Sequence, residues 1–196
     1  PTFSQIPPQV LAKANQYRKQ LTREAHAKFG LAAPVSLFAG QIHQESTWNS
    51  AAQSPVGAVG LSQFMPLSAK WISELYPADL GSNQPLDADW AIRALVFYDF
   101  YLYRRMAEYR EDGQHRWGAA LASYNGGAGW INRDRAAILK INIDKRPELC
   151  DSAVSRYFWC VNQINSGRSK ENFAENTSYP IRILFKWEPA YKLAGW

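Results

Sequence analysis

The sequence has few of the residues from which metal sites are built. It contains two cysteines, Cys150 and Cys160, and three histidines, His26, His43 and His115, which are far apart in the chain. A structural zinc site needs four ligands at short spacings, so we predict neither a metal site nor a cofactor. The cysteines could form a disulfide in an oxidising compartment or remain two buried thiols, and the sequence leaves both alternatives open.

Long uninterrupted apolar runs are also missing. The most apolar stretch, Ala91 to Tyr103, contains Arg93 and Asp99, whereas a membrane-spanning helix needs about 20 mostly apolar residues. No membrane span is therefore predicted. Residues 1–8 lack the basic segment and the apolar run of a signal peptide, and a leader removed beforehand is compatible with this start.

The charge is positive but is not concentrated in one region. Lys and Arg number 22 against 17 Asp and Glu, a net charge of +5. This balance suits an anionic partner such as a cell-wall polymer or a membrane surface. No nucleic-acid-binding signature accompanies the basic residues, so a nucleic acid is not a predicted partner. Aromatic residues make up 14% of the chain, and those outside the core would offer flat faces to a sugar.

Apolar periodicity predicts helices almost throughout the chain, and no convincing run of alternating strand residues occurs. Glycine and proline at Pro55, Gly57 and Gly60 predict a loop or short hairpin over residues 49–60. One mainly α domain over residues 1–196 is expected. The predicted helices cover residues 8–29, 34–47, 66–76, 87–111, the region from Trp117 to the glycines at 126 and 127, 128–140, 152–165 and 178–194.

One carboxylate occupies an unusual position on a predicted helix. Val35, Phe38 and Ile42 form an apolar stripe, and Glu45 is the next position on it. Burial disfavours the charged form of a carboxyl group and raises its pKa, as a general acid near neutral pH requires. A buried glutamate held by a salt bridge would show the same spacing, and periodicity alone does not separate these alternatives.

The segment that follows Glu45 carries a dense motif. It reads ESTWNSAAQSPVGAVGLSQFMPLSA and resembles the signature of the family 1 lytic transglycosylases, the goose-lysozyme-like SLT domain. Two later elements agree in order: ASYNGG at residues 122–127 resembles the A-x-Y-N-x-G helix end of the family, and ENTSY at residues 175–179 resembles its E-T-x-x-Y element. The resemblance spans about residues 30 to 185. The matching positions in the first segment are Glu45, Ser46, Asn49, Ala52, Ser54, Gly57, Ala58, Gly60, Leu61, Gln63, Met65, Pro66 and Ala69.

The resemblance implies a lysozyme-like fold with a substrate cleft between two helical lobes. It implies cleavage of the β-1,4 bond between N-acetylmuramic acid and N-acetylglucosamine in the glycan strands of peptidoglycan. Glu45 would protonate the leaving oxygen, and the substrate's N-acetyl carbonyl would stabilise the oxocarbenium-like centre. Glu45 would then accept the proton of the muramoyl 6-hydroxyl, which closes to a 1,6-anhydro product.

The motif positions also imply substrate-binding roles. Ser54 and Gln63 would form hydrogen bonds with N-acetyl and hydroxyl groups, and Met65 would make apolar contact under a sugar ring. Tyr124 either packs in the core or lines the cleft. Asn125, next to the glycines at a helix end, would support Glu45 or the substrate.

The C-terminal element is expected to support the catalytic acid. Tyr179 would hydrogen-bond Glu45, while Glu175 would either support the site or serve a helix dipole. The chain departs from the family pattern at Ser62, where the family usually has Met, and at Asn176, where it has Thr. Pro180 follows Tyr179 directly, which is a further departure in this element.

The number of nearby carboxylates bears on the reaction. An ordinary glycosidase uses two of them on either side of the scissile bond, yet no Asp or Glu lies between Glu45 and Glu74. This favours the one-carboxylate transglycosylase mechanism. A distant carboxylate such as Asp87 or Asp89 could still fold into the cleft, so a goose-type lysozyme that hydrolyses the same bond is the alternative.

The biological setting stays open at this stage. We expect a monomer that acts on peptidoglycan at the cell wall, in the periplasm or outside the cell. A remodelling enzyme, a component of a secretion or conjugation machine, and a bacteriophage endolysin or virion enzyme all fit, with a slight preference for a phage or dedicated lytic role. A non-catalytic wall-binding protein would not need the intact Glu45 motif.

Overall fold

The computed structural model of the protein describes residues 5–140 and 156–196. These residues are mainly helical, as predicted, and among them only isolated bridges join Gln53 to Val59 and Val59 to Phe64. No described helix is long and apolar enough to cross a bilayer. The helices are α1 (Pro8–Phe29), α2 (Val35–Ser46), α3 (Pro66–Leu75), α4 (Pro77–Leu80), α5 (Ala88–Arg105), α6 (His115–Gly126), α7 (Ala128–Ile138), α8 (Phe158–Val161), α9 (Lys170–Arg182) and α10 (Glu188–Leu193).

Local signals place several helix ends correctly. Gly30 follows α1 with a φ of +76°, and Gly127 follows α6 with a φ of +90°, a backbone region that favours glycine. The Asp87 carboxylate accepts a hydrogen bond from the backbone N–H of Trp90 at 2.8 Å, as a helix N-cap does. The hairpin predicted for residues 49–60 is also present, as the short bridges show.

Two predicted helix boundaries are wrong. Helix α5 ends at Arg105 rather than near residue 111, because the chain turns there and buries Met106 and Tyr109. Helix α9 begins at Lys170 rather than at residue 178, because the Ser169 hydroxyl accepts a hydrogen bond from the Asn172 N–H and caps it.

The cysteine region is described only in part. Of the helix predicted for residues 152–165, the structure has a single short turn, Phe158–Val161, and residues 152–155 lie outside the described part. Cys160 is buried and disulfide-bonded, which favours the disulfide over the free thiol. Cys150 lies outside the described residues.

The chain forms two compact units. Unit 1 contains the described residues up to Phe100 and the C-terminal segment Ile183–Trp196, and unit 2 contains the described residues between Tyr101 and Arg182. The boundary falls inside α5, and the chain returns to unit 1 after α9. Glu45 therefore belongs to unit 1, and Tyr179 belongs to unit 2.

Helix α2 is the central helix of unit 1. Every residue from Ser36 to His43 is buried, so its neighbours cover it on all sides. A Cβ atom at Gly40 would lie 3.0 Å from the backbone nitrogen of Glu188 and 3.0 Å from Trp187 Cβ. A glycine at this position is what allows α2 and the C-terminal segment to pack so closely.

An aromatic cluster fills the contact between α2 and the C-terminal segment. The rings of His43 and Trp187 stack with their centroids 3.8 Å apart. The Trp48 indole N–H donates to the Tyr191 hydroxyl oxygen at 2.6 Å, and that oxygen lies 3.0 Å from His43 Nδ1. Burial and the positive charge of Lys186 lower the pKa of His43 to about 4. A neutral His43 can accept the tyrosine hydrogen at Nδ1.

Unit 2 is organised around α6 and α9. Gly118 faces the ring of Phe158 so closely that a Cβ atom there would lie 2.4 Å from it. The Asn176 side chain of α9 donates to the Ala122 carbonyl at 2.7 Å. Its oxygen accepts a hydrogen bond from Arg168 at 2.5 Å, and Arg168 forms a buried ion pair with Asp134. This network satisfies polar groups that would otherwise destabilise the interior.

Gly60 should be the least replaceable glycine of the hairpin. Its φ is +78°, and an added Cβ would lie 2.0 Å from the carbonyl oxygen of Pro85; Gly57 has a φ of +90° but open space around it. We expect Gly57→Ala to lower the free energy of unfolding by about 1–3 kcal/mol, the cost of backbone strain alone. Gly60→Ala should cost clearly more, because a backbone clash adds to that strain. Chemical denaturation of both variants measures the difference, and equal losses would contradict it.

Protonation of His43 should weaken the fold in mild acid. Its folded-state pKa of about 4 lies below the ordinary histidine value of 6.5, so folding favours the neutral form. This contribution to stability is complete above pH 6.5 and is lost as the pH falls from 6.5 towards 4.

The variant His43→Asn keeps an acceptor near the Nδ1 position and does not titrate. We expect its free energy of unfolding to be lower at every pH, since it loses the stack with Trp187, but to fall less steeply between pH 6.5 and about 4. Denaturation midpoints across this range give the two slopes. Parallel slopes would show that another group is responsible.

Candidate active site

Glu45 lies at the C-terminal end of α2, one position before the last residue of the helix. Phe38 and Ile42, which precede it on the predicted apolar stripe, are fully buried, while Glu45 is half-buried. The carboxyl group is thus carried by a helix that is fixed in the core and is still partly accessible. This combination suits a group that must meet both the protein interior and a substrate.

The turn after Glu45 holds the end of the helix in place. Thr47 and Trp48 have left-handed backbone angles, with φ of 53° and 61°, which are uncommon for residues other than glycine. The strain is offset by the Trp48 side chain, which is buried and hydrogen-bonded to Tyr191. Strained backbone of this kind, held by its surroundings, is frequent at functional sites.

A second carboxyl group lies close to Glu45. Asp99 of α5 is fully buried, and one of its oxygens accepts a hydrogen bond from the Gln41 amide at 3.4 Å. Burial raises the pKa of Asp99 well above its usual value; the Gln41 hydrogen bond opposes this, and the negative charge of Glu45 adds to it. The sequence left open that a carboxylate distant in the chain folds towards Glu45 and named Asp87 and Asp89, whereas the acid whose pKa the charge of Glu45 affects is Asp99.

The hairpin after α2, which the bridge from Val59 to Phe64 extends to residue 64, carries two predicted substrate-binding residues, and both form hydrogen bonds within it. The Gln63 amide nitrogen donates to the carbonyls of Gly60 at 2.9 Å and Ala52 at 3.3 Å. The Ser54 hydroxyl oxygen accepts a hydrogen bond from the Ala58 N–H at 2.9 Å. These contacts fix both side chains against the backbone of the hairpin, and their predicted contacts with a sugar stay predictions.

Ser62 and Met65 differ strongly in exposure. Ser62 is fully buried, and its hydroxyl donates to the Ala91 carbonyl of α5 at 2.9 Å. This hydrogen bond attaches the hairpin to α5, which is consistent with a supporting role for Ser62 rather than contact with a substrate. Met65 immediately precedes α3 and is 42% exposed, so its thioether is available for the predicted contact with a sugar.

The remaining predicted residues lie in unit 2. Tyr124 and Asn125 are half-buried near the end of α6, and the Asn125 side-chain oxygen accepts a hydrogen bond from Asn176 at 3.2 Å. Tyr179 is buried in α9. Glu175 is exposed in the middle of α9 rather than at its start, so the helix-start alternative for this residue is wrong. The predicted hydrogen bond of Tyr179 to Glu45 stays a prediction.

Sequence reasoning missed two features, one in each unit. Asp99 attracted attention only as an interruption of an apolar stretch, although an acid on a helix that is apolar on adjacent faces indicates a buried carboxyl group. Asn176 was treated as a departure from the family pattern, and its contacts with Ala122 and Arg168 had no signal in the sequence. Among the described residues, no group of three or more His, Cys, Asp or Glu is placed to hold a metal ion.

Comparisons with known proteins agree on one family. The model of the transglycosylase SLT domain matches residues 20–144. The membrane-bound lytic murein transglycosylase F of Shewanella frigidimarina is 31% identical over 102 residues, which are 52% of this chain and 20% of that protein. The soluble lytic murein transglycosylase of Escherichia coli K12 is 33% identical over 104 residues, 52% of this chain and 15% of that protein.

Solved structures show the same fold. An inactive variant of the lytic transglycosylase Slt from Pseudomonas aeruginosa matches with a TM-score of 0.62 at 27% identity, over 91% of this chain and 24% of that one. The 70 kDa soluble lytic transglycosylase of Escherichia coli matches with a TM-score of 0.62 at 24% identity, over the same two shares of the chains. The expected lysozyme-like SLT fold is confirmed, and the chain corresponds to a fifth or less of the curated relatives named above. The chain belongs to the transglycosylase SLT domain family.

Proposed function

We propose that the protein is a peptidoglycan lytic transglycosylase that cleaves the β-1,4 bond between N-acetylmuramic acid and N-acetylglucosamine. The observation that carries this proposal is the position of Glu45, half-buried at the end of a helix whose preceding turns are fully buried. It stands at the start of the SLT motif, within the residues that the family model matches. Two curated relatives are named as lytic murein transglycosylases.

In the proposed reaction Glu45 acts twice. As an acid it donates its proton to the oxygen that leaves, and the substrate's N-acetyl carbonyl stabilises the positive charge at the sugar carbon. As a carboxylate it then accepts the proton of the muramoyl 6-hydroxyl, whose oxygen closes the 1,6-anhydro ring. Glu45 ends the cycle protonated, and no water is consumed. Gln63, Ser54 and Met65 would orient the sugars from the rigid hairpin.

A two-carboxylate mechanism would need a second carboxylate that reaches the substrate, and none of Asp87, Asp89 and Asp99 is placed for this role. Asp87 caps α5 through Trp90, and Asp89 is exposed in the first turn of that helix. Asp99 is near Glu45 but has no exposed surface, so it cannot act on a sugar carbon or a water molecule. These positions support transglycosylation over the alternative, a goose-type lysozyme that releases a reducing end by hydrolysis.

The proposed place of action is the cell wall, in the periplasm or outside the cell, because peptidoglycan is found there. We retain the monomer as the expected state. A phage or dedicated lytic role remains one of the settings that this activity would suit.

Replacement of the proposed acid should slow the reaction strongly without loss of the fold. Glu45→Gln keeps the shape of the side chain but has no proton to donate, and the loss of a general acid slows catalysis by about 10²–10⁴-fold. Solubilisation of purified sacculi measures the rate. The matched control is Glu74→Gln, which removes an exposed carboxylate paired with Lys70 at 3.8 Å and should leave the rate unchanged. Wild-type lysis by Glu45→Gln would contradict the proposal.

The products distinguish the proposed reaction from its alternative. Digestion of sacculi in water labelled with heavy oxygen should give muropeptides that end in 1,6-anhydro-N-acetylmuramic acid. These are lighter by one water than reducing ends and carry no label. Mass spectrometry of the released fragments reads both properties. Labelled reducing ends as the main product would identify a lysozyme instead.

A further inference from the structure

Asp99 is a fully buried acid that the proposed reaction does not use. Its side chain lies on α5 and faces α2, where the Gln41 amide nitrogen donates to Asp99 Oδ1 at 3.4 Å. The other oxygen of this carboxyl group, Oδ2, is buried and has no protein donor, and the same is true of the Gln41 oxygen, Oε1. Two buried acceptors on touching side chains thus lack a hydrogen.

One proton on Asp99 would correct this deficit. A protonated carboxyl group is a donor as well as an acceptor, and an amide offers the complementary donor and acceptor. Asp99 Oδ2–H could then donate to Gln41 Oε1 while Gln41 Nε2–H donates to Asp99 Oδ1. Such a pair satisfies the buried polar atoms, whereas an ionised Asp99 would leave a buried charge held by a single neutral donor.

The pair lies one helical turn from the proposed acid. Gln41 and Glu45 are four residues apart on α2 and therefore share a face of the helix. The groups found to act on Asp99 are Gln41, through its hydrogen bond, and Glu45, through its charge. Because electrostatic coupling is reciprocal, a charge on Asp99 would act on Glu45 in turn.

We propose that Asp99 is a protonated carboxylic acid, paired with Gln41, and a positioning residue whose proton is coupled to that of Glu45. The hydrogen bonds of the pair hold α2 against α5 one turn before Glu45 and thereby position the Glu45 side chain. It also ensures that only one of two neighbouring carboxyl groups becomes charged when Glu45 gives up its proton. The effect on catalysis rests on the proposed function, while the protonation of Asp99 does not.

The coupling has a consequence for the pH dependence of activity. Above the pH at which Glu45 begins to ionise, the two carboxyl groups together still hold one proton, and a fraction of molecules carries it on Glu45. Asp99→Asn keeps the paired hydrogen bonds but cannot share a proton. Its activity should therefore fall about tenfold per pH unit on the alkaline side, while that of the wild type declines less steeply. A purely structural role would lower activity equally at every pH.

Direct titration of Asp99 tests the proposal without an activity assay. Carboxyl-carbon NMR of the full chain, with Asp99→Asn used to assign the signal, should show Asp99 still protonated at pH values at which ordinary aspartates, with a pKa of about 3.9, are already ionised. In Glu45→Gln the same signal should titrate at a lower pH, because the neighbouring charge is removed.

Three results would overturn the proposal. They are titration of Asp99 together with the exposed aspartates, an Asp99 signal that Glu45→Gln leaves unmoved, and alkaline limbs of the wild type and Asp99→Asn that superimpose. Asp99→Leu, of similar size but with no polar group, leaves the Gln41 amide unpaired and should lose more stability than Asp99→Asn. Full lysis by Glu45→Gln would instead refute the proposed function, and the NMR result would still stand.

Discussion

The close contact at Gly40 is the constraint on which the geometry of unit 1 depends. A side chain at this position would lie 3.0 Å from Trp187 Cβ, so larger residues would push the C-terminal segment away from α2. The contact also allows Tyr191 to accept the hydrogen bond of Trp48 at 2.6 Å. Since Trp48 follows Glu45 by three residues, the same packing holds the turn that ends the helix. Tyr191 of α10 thus contributes to the position of the proposed acid.

Rigidity in the hairpin comes from a different source, its own hydrogen bonds. The Gln63 amide and the Ser54 hydroxyl both bind backbone groups of the hairpin, and Ser62 ties it to α5. Residues held in this way keep their orientation before a ligand arrives, which lowers the entropy cost of binding. The proposed catalysis by one carboxyl group would depend on such positioning, because no second side chain would correct a misplaced substrate.

The departures from the family pattern have physical explanations in the structure. Ser62 exchanges an apolar contact for a hydrogen bond to Ala91. Asn176 links α9 to the Ala122 carbonyl and to Arg168. Pro180 is accommodated within α9, although it supplies no N–H for the helix, and a π-helical turn over Ile183–Trp187 follows. At Ser62 and Asn176, side-chain hydrogen bonds thus hold the neighbouring helices in place.

The sequence by itself was enough to predict the helical class, the helix ends at Gly30, Asp87 and Gly127, and the proposed acid Glu45. Each of these features depends on a pattern among residues that are close together in the chain. Only the tertiary structure decided that Asp99 lies against Gln41, 58 residues away. It also decided that Asn176 binds the Ala122 carbonyl, 54 residues away. Contacts of this range depend on how separate helices pack, and neither periodicity nor a local motif encodes that packing. The proposed acid could therefore be predicted from the sequence, whereas these long-range contacts could not.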